Sequence, residues 1–233
     1  MKIAIMQPYI FPYIGYFQLI KAVDKFIIYD DVNYIKQGWI NRNNILLQDK
    51  SHLFSLPLKD ASSFKKINEI ELNEMLFPKW KTKFFKTLET YKKAPYYETV
   101  KPLLEKILMA DNGKLSDIIY HSLVEISKYL NIHTIIEKTS TVYQNSELSR
   151  AERLVDISNQ EKANTYINPL GGQELYDKKY FSDHNIDLFF IKTNTIEYQQ
   201  FTDTFVPWLS IIDVMMFNSV EEINEMLNRF ELI

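Results

Sequence analysis

The residues best suited to chemistry in this chain fall in four short stretches and one isolated acid. Residues 6–17, Met-Gln-Pro-Tyr-Ile-Phe-Pro-Tyr-Ile-Gly-Tyr-Phe, set Gln7, Tyr9, Tyr13 and Tyr16 around Gly15. A glycine there lets a ligand approach the backbone, and the free amides of a helix starting at that point favour a phosphate. The pair Asp30-Asp31 can take a sugar hydroxyl, orient an amine or hold Mg²⁺ through oxygen. Neighbours on an extended strand point to opposite faces, so the two carboxylates need not converge. Residues 39–44 combine the ring of Trp39, the fork of Arg42 and the amides of Asn41, Asn43 and Asn44. Arginine matches diphosphate oxygens and tryptophan stacks on a base or sugar. Asn168-Pro169-Leu170-Gly171-Gly172 reads equally as a strand-to-helix turn or as a cradle of backbone amides for an anion, with Tyr176 one helical turn further on. Asp213, after a Trp-Leu-Ser-Ile-Ile run, joins Asp30 and Asp31 as a carboxylate that burial can tune into a general base. It reads equally as an N-cap or an internal hydrogen-bond acceptor.

The elements needed to hold these residues are legible as apolar periods. Residues 2–6 form a short buried run that stops at Gln7-Pro8, where proline removes a ladder donor. Phe17, Leu19, Ile20 and Val23 then have helical spacing, and residues 25–29 are β-rich and end in the acidic pair, so the opening reads β-loop-α-β. Residues 33–47 and 52–58 read as loop and hairpin, and 73–91, 100–110 and 114–130 as helices. Strands at 133–137, 165–167 and 186–191 alternate with helices at 150–159 and 174–181. A segment rich in aromatics and proline, 201–209, leads to a C-terminal helical region ending near Phe230. We expect one α/β domain over residues 1–233, with an open, mostly parallel Rossmann-like sheet and a helical insertion or lid at about 73–131. In such sheets ligands bind beyond the carboxyl ends of the strands.

Composition narrows the function. Of 233 residues 46% are hydrophobic and 24% charged, enough apolar material for a core and too much for a disordered chain. The net charge of −3 argues against a broad DNA footprint, which needs clustered cations. The lysines around Trp80 and at Lys92-Lys93 read as a solvated helix face, or as a local stripe for a transfer RNA. With no cysteine, a disulfide scaffold, a thiolate nucleophile and a zinc–cysteine site are excluded, in keeping with a reducing compartment. The opening apolar run is too short for a secretory leader and no window is long enough to span a bilayer, so a cytoplasmic protein without membrane insertion is expected. The four histidines are scattered, so no transition-metal site is expected, and the chain has no Gly-x-Ser-x-Gly elbow. Thr139-Ser140-Thr141 reads as a cap at the same sheet edge.

Taken together, residues 6–17, Asp30-Asp31-Val32, Gly38-Trp39-Ile40-Asn41-Arg42-Asn43, Asn168–Gly172, Leu175-Tyr176 and residues 207–213 resemble the WbqC-like family of bacterial proteins along nearly the whole chain. The resemblance implies a transferase of surface polysaccharide (O-antigen, lipopolysaccharide) biosynthesis, passing an acyl or aminoacyl group to the amine of a nucleotide-linked amino sugar. An activated acyl donor, or an aminoacyl-tRNA, would be the second substrate. From the residues alone, 39–44 is a polar hairpin with Arg42 in a surface ion pair and Trp39 in the core; the resemblance makes it a binding wall with Arg42 the leading phosphate contact. A second likeness is to nucleotidyltransferases and class I synthetases of the HUP-like type, whose His-x-Gly-His helix start holds a triphosphate. Here Tyr13-Ile14-Gly15-Tyr16 stands in that place, and neutral tyrosines bring no positive charge to a phosphate. The alternatives are therefore an enzyme using a nucleoside triphosphate with Mg²⁺, and a non-catalytic subunit that binds a sugar nucleotide.

Overall fold

In the computed structural model, which describes residues 1–110 and 113–233, the apolar runs become strands of one six-stranded sheet. Residues 111 and 112, inside the stretch expected to form the insertion, lie outside the described residues. Strand β1 (Lys2–Met6) leads through α1 (Ile14–Lys21) to β2 (Lys25–Ile28). An excursion follows: a hairpin of β3 (Arg42–Leu47) and β4 (Lys50–Ser55), a small ladder of β5 (Leu58–Lys59) and β6 (Glu71–Leu72), then helices α2 (Phe77–Leu88), α3 (Tyr97–Met109) and α4 (Leu115–Tyr129). The chain returns through β7 (Ile135–Glu137), α5 (Arg150–Gln160), β8 (Thr165–Pro169), α6 (Lys178–Ser182) and β9 (Asp187–Thr193). It closes with α7 (Ile211–Phe217), α8 (Val220–Met226) and β10 (Phe230–Leu232). The sheet order is β10-β9-β8-β1-β2-β7, parallel throughout except between β9 and β10. The fold is thus the expected mostly parallel, Rossmann-like α/β arrangement.

Strand alternation explains why both faces of this sheet are covered. Ile3, Ile5 and Ile27 join Leu154 and Ile157 of α5 and Phe181 of α6, whereas Ala4, Phe26 and Ile28 join the helices of the other face. That second cluster continues into the hairpin through Ile45 and Phe54 and into the excursion through Phe84, Leu104 and Leu123. Each such side chain contributes about 1.5–3 kcal/mol on burial. No described helix is long and apolar enough to cross a membrane.

Three local features differ from the expectations. The helix expected at 174–181 is the shorter α6, because Asp177 caps it by accepting from the amide of Lys179 at 3.0 Å. The hairpin turn uses Gln48 and Asp49, both left-handed at φ 49° and 60°, matching strand twist without a glycine. Beyond α8 the chain adds β10 as an antiparallel edge strand instead of ending in helix.

Three parts of the chain meet at Asp213, which is wholly buried in the first turn of α7. Its carboxylate accepts from the hydroxyls of Tyr91 at 2.7 Å and Tyr198 at 2.6 Å, and from the amide of Gln200 at 2.8 Å. The Tyr91 oxygen itself accepts from the Leu46 amide of β3 at 2.7 Å. Gln200 also donates to the Val206 carbonyl at 3.2 Å and accepts from the Val206 amide at 2.8 Å, closing the loop between them. One carboxylate therefore ties α7 to β3, to the turn after α2 and to residues 198–206.

Burial pushes the Asp213 carboxyl above the usual carboxylate range, against the pull of its three donors. Because folding raises this pKa, the carboxyl's contribution to stability is full below its ordinary value of 3.8 and is lost as pH rises through the raised value. Asp213→Ala leaves three buried donors unpaired, so urea titration should show a loss of about 3 kcal/mol at low pH. The gap between wild type and variant should narrow as the pH is raised; a gap that widens contradicts a carboxyl governed by burial.

Candidate functional site

The strand order reverses between β1 and β8: from β1 the chain runs outward to β2 and β7, then re-enters at β8 on β1's other side. A crevice opens there at the carboxyl ends of the strands. The loop leaving β1 forms one side of it. Its backbone is pinned: the Ile10 amide donates to the Ile40 carbonyl at 3.0 Å, and the Tyr16 hydroxyl donates to the Gln7 carbonyl at 2.8 Å. Phe11 is buried and left-handed at φ 43°, a conformation costing a non-glycine residue about 1–3 kcal/mol. What holds it is capture of its carbonyl, which accepts from the Asn43 amide and from the Ser210 hydroxyl, each at 2.6 Å. The Ser210 amide donates to Asn44 and the Ile211 amide to Pro12, both at 2.8 Å, so the loop, the hairpin and the start of α7 are stitched together.

The resulting cleft encloses about 500 Å³. Its wall is an arc of aromatic rings: Trp39 lies 6.3 Å from Tyr9, Tyr9 6.5 Å from Tyr13, and Tyr13 6.1 Å from Trp208, centroid to centroid. The ends of the arc are open to solvent, with Trp39 49% and Trp208 74% exposed, which is unusual for rings of this size and marks a surface built for contact. Trp208 sits at φ 62°, a second left-handed position occupied by a bulky side chain. Burial raises the phenols of Tyr9, Tyr13 and Tyr16 above their ordinary value, so at neutral pH they are hydrogen-bond donors and not bases. Gly15 belongs to the same wall because a Cβ there would run into the Tyr13 ring and come within 2.9 Å of the Thr193 hydroxyl. Tyr13 is the N-cap of α1 and no side chain caps that helix, leaving its first amides beside the cleft. Lys192 lines the opposite side, its ion pair with Glu231 stretched to 4.0 Å. No carboxylate lines this cleft among the described residues.

Of the residues singled out in the sequence, Gln7, Tyr9, Tyr13, Gly15, Tyr16, Trp39 and Gly171 line the cleft. Arg42 stands behind it, with its guanidinium 5.4 Å from the Trp39 ring centroid and one nitrogen bonded to the Gln37 carbonyl. Asn41 is spent on structure: it accepts from the Tyr34 hydroxyl at 2.8 Å and donates to Ser55 and the Leu56 carbonyl. Asn168 is buried against Gly172, where a Cβ would collide with its amide, so that glycine serves close packing. Tyr176 packs edge-on to Tyr166 and Phe181 on the other face of the sheet. Residues not singled out as candidates also line the cleft, Lys192, Thr193 and Trp208 among them. The first two follow directly on the strand expected at 186–191 and end the observed β9, the one signal that pointed to them.

The acidic pair lies just past the end of β2, so strand alternation does not separate the two side chains, and both carboxylates reach Ser140. Asp30 accepts from the Thr139 hydroxyl at 2.6 Å and the Ser140 amide at 3.3 Å, and burial raises its carboxyl above the ordinary range. Asp31 takes the Ser140 hydroxyl and pairs with Arg153 of α5 at 2.5 Å, both side chains almost completely buried. Arg153 also donates to Asn145 at 2.9 Å and stands 4.7 Å from the Tyr29 ring centroid. Its sequence signal was a cation in helical register with Ile157 on the buried face of α5. Removing one partner leaves an uncompensated buried charge, so Arg153→Met should cost roughly 3–5 kcal/mol in chemical denaturation. The double variant Asp31→Leu with Arg153→Met should regain most of that loss; equal losses in the single and double variants would contradict a pair whose desolvation balances its attraction.

Comparison with known proteins agrees with the motifs. The chain is 29% identical over 221 residues to Rv1507c, an uncharacterized protein of Mycobacterium tuberculosis, and the match covers 93% of each chain. No solved structure matches. The family match runs over residues 7–225, from the loop leaving β1 into α8. From the tyrosine-rich loop to its last helix, the chain belongs to the WbqC-like protein family, an assignment that points to polysaccharide biosynthesis.

Proposed function

We propose that the cleft binds a nucleotide-linked amino sugar and that the protein transfers an acyl or aminoacyl group to the sugar's amine during surface polysaccharide synthesis in the cytoplasm. The observation carrying this reading is the cleft's position at the reversal of strand order, walled by an arc of aromatic rings with cations at its edge. Trp39 and Tyr9 offer planes on which a base or sugar stacks. The first amides of α1 beside Gly15, together with Lys192 and Arg42, supply positive potential for a diphosphate. Gln7 and the backbone at Gly171 add hydrogen bonds to hydroxyls.

With no carboxylate in the cleft, chemistry rests on positioning. A neutral amine held against an activated acyl carbon forms the carbon–nitrogen bond, the acyl–donor bond breaks, and a proton passes from the nitrogen to solvent or the departing group. Asp213 enters as a positioning group behind the walls, since both of its oxygens are spent on internal donors, whereas Asp30 and Asp31 are engaged by Thr139, Ser140 and Arg153, none of which lines the cleft. Adenylyl transfer draws less support. The residues standing where histidines hold a triphosphate are Tyr13 and Tyr16, and both phenols are kept neutral by burial.

Trp39 is exposed and Arg42 partly so, hence Trp39→Ala and Arg42→Ala should keep the melting temperature within about 2 °C of wild type. Isothermal titration with uridine and thymidine diphosphate sugars should show each variant binding roughly tenfold more weakly, about 1.4 kcal/mol. Folded variants with unaltered affinity would remove the cleft from consideration, and tight binding without turnover across a panel of acyl donors would favour the non-catalytic subunit.

A further inference from the structure

Across the Trp208 side chain from the cleft lies a second cavity of about 730 Å³. Tyr13, Thr193 and Trp208 line both spaces, so the two share one wall. Their charges are opposite in kind. The cleft has Lys192 in its lining and Arg42 behind Trp39, and no acid; the second cavity has Glu197 and Asp203, and no lysine or arginine. Neither carboxylate is in a salt bridge or side-chain hydrogen bond among the described residues, and both are exposed to the space they line. Phe205 adds a second aromatic surface facing the same space as Trp208.

We propose that this second cavity is the amine-recognising subsite, where Glu197 and Asp203 hold the ammonium and hydroxyl groups of the sugar ring while the nucleotide occupies the cleft; the ammonium passes one proton to a carboxylate, and the neutral amine left behind is the one that attacks. The inference rests on the cleft being a nucleotide-sugar site, and it assigns the ligand's two ends. A molecule lying across Trp208 meets cations at one end and carboxylates at the other, so it is anionic at its first end and cationic at its second. A nucleoside diphosphate joined to an amino sugar has that charge order. The apolar face of a sugar ring suits the Trp208 and Phe205 rings, and carboxylates accept from ammonium and hydroxyl donors alike.

The subsite is rigid on its own account. Its loop is closed by Gln200 on both backbone groups of Val206, and the Tyr198 hydroxyl is bound to Asp213. Trp208 is held at φ 62°, a conformation that favours glycine, and its ring is 74% exposed. A backbone cost retained for an exposed ring is repaid when that ring contacts a ligand on both of its sides.

The test uses the full-length protein and isothermal titration with uridine and thymidine diphosphates, alone and linked to glucosamine or to glucose. Wild type should bind the amino sugar at least tenfold more tightly than the matching hydroxy sugar. The double variant Glu197→Gln with Asp203→Asn, confined to exposed positions, should erase that preference and leave the affinity for the bare diphosphate within twofold. Trp208→Gly suits the backbone at φ 62°, so it should keep or raise the melting temperature while weakening sugar-nucleotide binding at least tenfold. Binding of the bare diphosphate with no amine preference, or with a preference that survives the double variant, overturns this inference and leaves the cleft reading intact. No binding of any diphosphate overturns both.

Discussion

The buried carboxylate of Asp213 is the constraint on which the candidate site depends. It collects donors from Tyr91, Tyr198 and Gln200, groups separated along the chain by as many as 122 residues. A carboxylate that has left water must find donors to replace it, and here two of the donors arrive on the segment that walls the second cavity and the third on the turn after α2. Tyr198 and Gln200 fix the loop carrying Phe205 and Trp208; Tyr91 fixes the hairpin that begins at Arg42 and holds Asn43 against Phe11. The acid thus acts at a distance from any ligand, through the backbone it orders.

That arrangement accounts for how much of the molecule was legible beforehand. The parallel core was readable because Ile3, Ala4 and Ile5, or Phe26, Ile27 and Ile28, are apolar on both faces, the mark of a strand buried between helices. The loop after β1 was readable as a site because strand order alone puts it at the sheet's ligand-bearing edge. The acids were legible as unusual but not as to role, since an Asp beside apolar residues looks the same whether its partner is a substrate or Arg153 more than a hundred positions away. Trp208 was harder still. Its type is common in cores, and only the backbone at φ 62° and the open ring mark it as a contact residue. β10 escaped because three residues are too few to show a period.

The two left-handed residues at the cleft, Phe11 and Trp208, are treated differently by their surroundings. Phe11 costs about 1–3 kcal/mol, and its carbonyl gains two side-chain hydrogen bonds worth about 1 kcal/mol each, so the strain is offset within the folded chain. Trp208 has a buried neighbour in Leu209 and a captured one in Ser210, but its own ring lies mostly in solvent. The first device orders the loop before any ligand arrives. The second leaves a surface whose contacts are still to be made.

Such a division suits a site that works by placement. Where the only carboxylates near the reacting atoms are the pair that holds the amine, rate comes chiefly from holding nitrogen and acyl carbon in line, and an error of about 1 Å in that geometry costs on the order of a hundredfold. A loop of Gln7, prolines and tyrosines cannot hold that tolerance through its own propensities. It is held because Ile40, Asn43, Ser210 and Ile211 each take or give a bond to its backbone. The buried acid Asp213, the captured carbonyl of Phe11 and the close approach at Gly15 serve one end: they turn a flexible sequence into a fixed wall, leaving the exposed rings and rim charges to choose what rests against it.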